Sequence, residues 1–448
     1  MENDYLIQKK PLSALITFSL PIIIGNLFQQ TYTMADSAIV GRYVSEQALA
    51  AVGASYSLTN IFICIAIGGG IGASVIVSRY FGAKKYREMI TAVFTSLIAF
   101  LTISILLGAL GLLFSKNIML ALNTPNDVLD MAVEYLNIYF IGLPFLFMYN
   151  VLSAMFNALG KSKIPLYFLI FSSLFNIALD WILVTQFSMG VAGVAWATLI
   201  AQGISAILSF LALIMYFRKI DRYHKVVFAK EELLPMTKIA LPSIFQQSTV
   251  SIGMMLVQSV VNSFGSETLA GFSAAIRIEA ICAVPMTSID NAMSSYTAQN
   301  IGANKEKRVV EGYHAANKLV LVCAVLILLV LELFNKQIIT LFLGTDGTDT
   351  AMSTGRGYIT FMGFFFCLMG FKMAVDGLLR GAGDMKIFTV ANLVNLFIRV
   401  SVAMIFAPYF GISMVWYAVP IGWLANWIIS FIQYRTGKWK KKTPAYCT

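Results

Sequence analysis

Long apolar runs, each separated from the next by a short polar or basic stretch, occupy almost the whole chain. They fall at 11–38, 47–78, 88–114, 128–159, 164–185, 190–217, 233–264, 267–299, 309–334, 354–380, 386–408 and 412–434. About 20 apolar residues in an α-helix cross the hydrocarbon core of a bilayer. Lipid offers backbone amides no hydrogen-bond partners, so such runs must satisfy their own, which selects helices. With 58% hydrophobic and 12% charged residues over a length of 448, the chain lacks the polar surface of a soluble globular protein. The expected fold is therefore an all-α integral membrane protein with twelve transmembrane helices. Several runs exceed 25 residues, which predicts tilt, kinks or protrusion from the bilayer. Pro21, Pro144, Pro242, Pro285 and Pro420 lie inside runs and favour bends, because each removes a helical hydrogen bond.

The basic residues set the orientation. One alternate set of connections holds 24 of the 32 Lys and Arg, including Lys84, Lys85, Arg218, Arg222, Lys225, Arg79 and Arg380; the other set holds only Arg42, Lys116, Lys336 and Arg356. Excess positive charge stays on the cytoplasmic side. Both termini are then expected in the cytoplasm, which requires an even number of spans. The net charge of +10 does not point to nucleic acid, since the basic residues lie between apolar runs and not on one soluble face. The first run is too long for the apolar core of a signal peptide and carries no A-x-A cleavage pattern. Cys64, Cys282, Cys323 and Cys367 fall in spans and Cys447 in the tail; with no C-x-x-C or Cys/His spacing, neither disulfides nor a metal cluster are expected. His224 and His314 flank apolar segments and read as surface or core residues.

The longest basic connection, Arg218 to Glu232, lies near the middle, and the halves on either side repeat. Phe18-Ser-Leu-Pro21 matches Ile239-Ala-Leu-Pro242, Ser45-Glu46 matches Ser266-Glu267, Phe81-Gly-Ala-Lys-Lys85 matches Ile301-Gly-Ala-Asn-Lys305, and Gly160-Lys-Ser-Lys163 matches Gly383-Asp-Met-Lys386, at offsets of 220 to 223. Six spans per half give both repeats the same orientation. The expected organisation is a first lobe over 1–220, a cytoplasmic connection over 221–232 and a second lobe over 233–448. The lobes would be related by pseudo-two-fold symmetry around a central cavity.

Charges inside the spans are where function is expected. Asn176 and Asp180 stand four apart, on one helix face, in an apolar run without Lys or Arg. A carboxylate within the membrane costs several kcal/mol unless it meets a partner or water, and so marks a functional site; the plainer reading is an Asp at a helix end in the headgroup layer. Asp36 lies near the outer end of the first span, and Thr198 in the outer part of the sixth. The first half has no basic residue deep in a span, so its acids need a proton or a cation. Asp36 and Asp180 with the neutral oxygens of Asn176 and Thr198 suit a shared proton or a hard cation such as sodium. The second half carries Arg277, Glu279, Asp290, Lys372, Asp376 and Arg399, which can neutralise one another. Lys372 and Asp376, four apart, read as a same-face ion pair; Arg277 and Glu279, two apart, are expected to pair with other helices.

At these residues the chain resembles the multidrug and toxic compound extrusion (MATE) family, over essentially its whole length. The similarity rests on Leu20-Pro21 and Leu241-Pro242, on Phe81-Gly-Ala and Ile301-Gly-Ala, on Arg380-Gly-Ala-Gly383, and on Asp36, Asn176-x-x-x-Asp180 and Thr198. The acids look like the bacterial and archaeal branch whose cation site lies in the first lobe. The resemblance implies Asp36, Asn176, Asp180 and Thr198 as the coupling site, with Asp36 and Asp180 the ligands of any sodium ion. It implies Tyr32, Tyr139, Asn150 and Asn157 in the substrate cavity, with Glu279 and Asp376 as further contacts. Gln246 and Gln247 stand where some members have an acid, so a second-lobe cation site is not carried over. The implied activity is secondary efflux of amphipathic, cationic organic compounds in exchange for protons or sodium, by alternating access of two lobes. The 33 Phe and 21 Met suit such a cavity, although most such residues face lipid or pack helices. No cofactor, nucleic acid or enzymatic activity is expected, since no H-E-x-x-H, G-x-S-x-G or His cluster occurs. Drug-like molecules and membrane lipid are the implied partners, and a multi-pass monomer in a prokaryotic plasma membrane the implied state. The competing reading, a flippase for a lipid-linked precursor, would require basic residues deep in the cavity to hold its phosphates.

Overall fold

The computed structural model describes residues 4–122, 124–221, 227–344 and 347–442. Arg222, His224, Lys225 and Cys447 lie outside the described residues. Among the described residues the regular structure is helical: a short α1 (Tyr5–Gln8), then α2 (Pro11–Tyr43), α3 (Glu46–Gly82), α4 (Tyr86–Ala121), α5 (Asn126–Ala158), α6 (Lys163–Thr185), α7 (Gly190–Ile220), α8 (Lys230–Asn262), α9 (Ser266–Gly302), α10 (Glu306–Leu343), α11 (Asp349–Gly381), α12 (Met385–Phe410) and α13 (Ser413–Thr436). A 3-10 turn, Lys438–Lys442, follows. The twelve helices α2 to α13 are each long and apolar enough to cross a membrane. Large aliphatic and aromatic side chains such as Leu106, Leu113, Leu333 and Phe397 stand exposed on helix faces, which is stable only where the surroundings are themselves apolar.

Local chemistry sets the helix ends. Ser45 starts α3 by accepting the Ala48 amide at 3.0 Å, and Thr348 starts α11 by accepting that of Ala351 at 3.3 Å. The five helices expected to bend at a proline run as continuous helices through Pro21, Pro144, Pro242, Pro285 and Pro420. The non-helical torsions inside α10 fall instead at Phe334 (φ −122°, ψ 16°), where the apolar run ends.

The sequence repeat is also a repeat of backbone geometry. After α3, Lys84 takes φ 59° and the Lys85 amide donates to the Tyr80 carbonyl at 3.0 Å; after α9, Asn304 takes φ 57° and the Lys305 amide donates to the Asn300 carbonyl at 2.8 Å. Gly160 and Gly383 are likewise matched, at φ 72° and 70°. This left-handed turn favours Gly or Asn, and Lys84 holds it without either advantage.

The chain divides into two compact units, one of Ile24–Ile244 and one of Met1–Ile23 with Phe245–Thr448. Two helices are shared: α2 changes unit after Ile23 and α8 after Ile244, each two residues past its proline. Within the first-named unit α5 packs on α3, α4 and α7, and α6 on α7; within the other, α11 packs on α9, α10 and α13, and α12 on α13. The neighbour pattern is the same in both.

Three charges differ from the sequence expectation. Arg79 and Arg380, counted there as loop residues, are buried at the ends of α3 and α11. Their helices continue past the point where hydropathy falls, so a helix-end Arg is carried inside. Arg277, expected to pair with another helix, is exposed, while Glu279 two residues on is buried; two residues along a helix is about 200° of rotation, so the two face opposite ways.

Candidate functional site

Four oxygen atoms without donors mark the site in the Ile24–Ile244 unit. Asp36 comes from α2, Asn176 and Asp180 from successive turns of α6, and Thr198 from α7. Asp180 is fully buried, Asn176 nearly so, and Asp36 partly. The carboxyl groups of Asp36 and Asp180 lie within hydrogen-bonding reach of each other. Asp36 Oδ1, both Asp180 carboxylate oxygens and Asn176 Oδ1 are buried, and among the described residues none receives a protein donor. Asn176 Nδ2 donates to Thr198 Oγ1 at 3.4 Å, which ties α6 to α7. Two carboxyl groups can bond to each other only if a proton or a cation sits between them, because neither carries a donor when ionised.

Packing fixes these helices in place. Val40 is one turn beyond Asp36, and Val184 one turn beyond Asp180; both belong to a single apolar cluster with Ala48, Val191 and Val194. That cluster closes one end of the site with hydrocarbon. Tyr135, on α5, packs against it and lies close enough to interact electrostatically with both carboxylates; Tyr32, one turn before Asp36, is also close enough to interact with both. Tyr135 was missed in the sequence. Its signal was its place one helical turn before Tyr139, on the same face.

A narrow pocket adjoins the site, lined among others by Tyr135, Tyr139, Leu146, Thr198 and Gln202. Tyr135 and Thr198 therefore belong to both pocket and carboxylate cluster. The Tyr139 hydroxyl donates to the Thr59 carbonyl at 3.1 Å. Asn150 donates to the Leu146 carbonyl at 2.8 Å, within its own helix, and Asn157 Oδ1 is buried without a partner. The pocket's lining thus includes Tyr139 of the cavity residues expected from the sequence; Tyr32 stands beside the acids, and Asn150 and Asn157 lie further along α5.

Three buried acids of the other unit, Asp376, Asp290 and Glu279, each lie near a base. Lys372 Nζ contacts Asp376 at 2.9 Å, as the four-residue spacing predicts. Arg380 contacts Asp290 at 3.0 Å, so the base for Asp290 is one that the sequence had placed in a loop. Glu279 accepts the Tyr358 hydroxyl at 2.5 Å and lies close enough to Arg399 to interact with it electrostatically. Glu279 and Tyr358 also border an apolar pocket with Cys282, Met362 and Phe366. Among the described residues, no cluster of three or more His, Cys, Asp or Glu able to hold a metal is present, so a cation between Asp36 and Asp180 would depend on neutral oxygens for its remaining ligands.

Comparison with known proteins places the chain in a family. The sequence profile of the MatE family matches twice, over residues 21–182 and 242–405, in step with the internal repeat. The chain is 30% identical to Bacillus subtilis YpnP, a probable multidrug resistance protein, over 97% of both chains. It is 24% identical to the multidrug export protein MepA of Staphylococcus aureus, over 93% of this chain and 92% of that one. A solved structure of a MATE protein in complex with MaL6 superposes with a TM-score of 0.91 at 25% identity, covering 99% of this chain and 100% of that one. A twelve-helix membrane protein built from two copies of one six-helix pattern, with the family's profile matching each copy, belongs to the MatE family of MATE transporters.

Proposed function

We propose that the protein is a secondary multidrug transporter that exports amphipathic organic cations in exchange for protons or sodium. The observation that carries this reading is the set of buried, donor-free oxygens on Asp36, Asp180 and Asn176. Two buried carboxylates without a counter-charge are unstable by several kcal/mol, so the site binds whatever neutralises it. A proton shared between Asp36 and Asp180 does so, and makes a charge-assisted hydrogen bond. A sodium ion does so with Asn176 and Thr198 oxygens as further ligands. In either case the ion is cargo: it enters from one side of the membrane and leaves on the other.

The residues shared between site and pocket supply the coupling. A flat organic cation beside Tyr135 and Tyr139 gains from their ring faces and from the nearby negative charge of the unloaded acids. Loading an ion removes that charge and draws α2 towards α6, which weakens the drug's hold. Linkage makes the effect reciprocal, and a tenfold mutual weakening needs only about 1.4 kcal/mol. Alternating exposure of the two loaded forms then drives drug outward as ions run inward. Tyr32, Asn150, Asn157 and Glu279 are proposed as further substrate contacts along the path. Both chain ends lie in the cytoplasm of a prokaryotic cell, and the working unit is one chain.

Proteoliposomes loaded with a fluorescent organic cation test this reading under sodium and proton gradients imposed separately. Gradient-driven efflux in the parent protein, lost in Asp36→Asn and in Asp180→Asn, supports it. Undiminished ion-dependent efflux in the Asp36→Asn/Asp180→Asn double variant refutes it.

A further inference from the structure

The fully buried carboxylate of Asp376 has a protein cation where Asp180 has none. Lys372 Nζ stands 2.9 Å from Asp376 Oδ2, with the side chains 5% and 0% exposed. The same ammonium donates to Asn392 Oδ1 at 3.2 Å, and Asn392 Nδ2 reaches Asp376 Oδ2 at 3.4 Å. Ser430, on α13, donates to Asp376 Oδ1 at 3.0 Å and lies 3.3 Å from Asn426 Oδ1. Ser430 has one proton. When it serves Asp376, Asn426 suits Ser430 best with its amide nitrogen, the very group otherwise left without a partner.

Without the ammonium, the cluster would be one carboxylate beside the oxygens of Asn392 and Ser430. Such a set of hard oxygen ligands around a single negative charge suits a monovalent alkali cation, which the ammonium resembles in charge and in its preference for oxygen. The other repeat shows what the fold requires at this place. With Gly160 aligned to Gly383, Lys372 corresponds to Tyr149 and Asp376 to Ser153. Tyr149 and Ser153 also hydrogen-bond to each other, but carry no charge. Both repeats therefore hold a pair of zero net charge here, polar in one and ionic in the other.

We infer that Lys372 is a tethered cation occupying an alkali-cation site formed by Asp376, Asn392 and Ser430, so that this unit stays permanently loaded and exchanges no ion. The consequence is a coupling stoichiometry set by the other unit alone. The inference concerns a separate cluster and stands whether or not Asp36 and Asp180 form the coupling site.

Thermal unfolding of the purified protein against added sodium or potassium chloride, with choline chloride to hold ionic strength, tests it. The background carries Asp36→Asn/Asp180→Asn, so that no ion effect comes from those acids. Measurements are made at about pH 8, above the ordinary carboxylate range. With Lys372 present, no alkali-specific stabilisation is expected. Lys372→Met, which keeps an unbranched stem of similar shape, is expected to gain a saturable rise in Tm of about 2 °C or more. That gain is expected to vanish in Lys372→Met/Asp376→Asn. Alkali-specific stabilisation in the Lys372 background that disappears with Asp376→Asn overturns the inference, and so does a folded Lys372→Met protein indifferent to both salts. If Lys372→Met does not fold, recovery of folding on adding Asp376→Asn supports the ammonium as the neutralising cation. Failure of the double variant to recover overturns it.

Discussion

Removing the guanidinium of Arg380 by Arg380→Met is expected to be among the most damaging single changes in the protein. Arg380 is 2% exposed and makes its ion pair with Asp290 at 3.0 Å. It also reaches Ser294 Oγ at 3.4 Å, Asn291 Oδ1 at 3.2 Å and Gln246 Oε1 at 3.5 Å, and lies over the Phe388 ring. Asp290, its side chain 11% exposed, would be left as a buried charge without its paired base. Breaking a buried pair by deleting one partner costs about 3–5 kcal/mol, most of it the stranded charge and not the lost attraction. Asp290→Asn leaves the other charge stranded, but Arg380 keeps three neutral acceptors, so a smaller loss of about 1–3 kcal/mol is expected. In the Arg380→Met/Asp290→Asn double variant neither charge remains. The double variant is expected to be more stable than Arg380→Met alone, with an interaction energy of roughly 2 kcal/mol or more. Thermal unfolding in detergent, followed for all four proteins under one protocol, measures this. Additive losses in the double variant, or a loss below about 1 kcal/mol in Arg380→Met, would refute the argument from buried charge.

Gly377 lies against the same pair: a Cβ there would stand 2.4 Å from the Asp290 carbonyl and 2.7 Å from its carboxylate, so Gly377→Ala is expected to lower Tm, by an amount equivalent to about 1–3 kcal/mol. Gly72 meets the Ala240 backbone, with a Cβ placed 2.3 Å from its Cα, whereas Gly53 meets nothing within 4 Å; Gly72→Ala should reduce the yield of folded protein and Gly53→Ala should not, and equal yields would contradict the packing. Single cysteines at Lys84 and Lys116 should label from opposite sides of the membrane, Lys84 from the cytoplasm; labelling of Lys116 from the cytoplasm alone would reverse the orientation. Arg308→Ala should loosen the N-terminal segment, since Arg308 donates to the Leu6 and Lys9 carbonyls at 3.3 and 2.7 Å, and faster proteolysis at that end is the readout.

Hydropathy made the twelve helices legible because each apolar run is a helix for a reason internal to itself: its amides have no other partners in lipid. The ends were less legible. The run ending near 334 stops where α10 departs from helical torsions at Phe334, yet the chain then forms another helical stretch to Leu343. The matched segments Phe81–Lys85 and Ile301–Lys305 share a left-handed turn, at Lys84 and at Asn304, because a turn of fixed shape leaves a similar residue pattern. Asp180 could be read from the sequence, since a lone acid in an apolar helix has few explanations. Its neighbour Tyr135 follows from how the helices pack, a property of the tertiary fold whose one mark in the sequence is the single-turn spacing to Tyr139. Arg79 and Arg380 differ from expectation because their helices outrun the apolar stretch that hydropathy marks, and Arg277 because hydropathy is blind to which helix face a residue occupies. The ion pair of Lys372 and Asp376 escaped that problem because both partners lie on one helix, four residues apart.

Equilibrium binding of a fluorescent organic cation to the purified protein, titrated at several pH values and sodium concentrations at constant ionic strength, tests the coupling most directly. In the parent protein, lower pH or added sodium should weaken binding at least tenfold, equivalent to about 1.4 kcal/mol of coupling. Asp180→Asn should bind with nearly the same affinity under all conditions, because the acid pair it disrupts is the element the ion acts through. A folded Asp180→Asn protein whose affinity still falls tenfold with the coupling ion would place that ion elsewhere and contradict the proposed site.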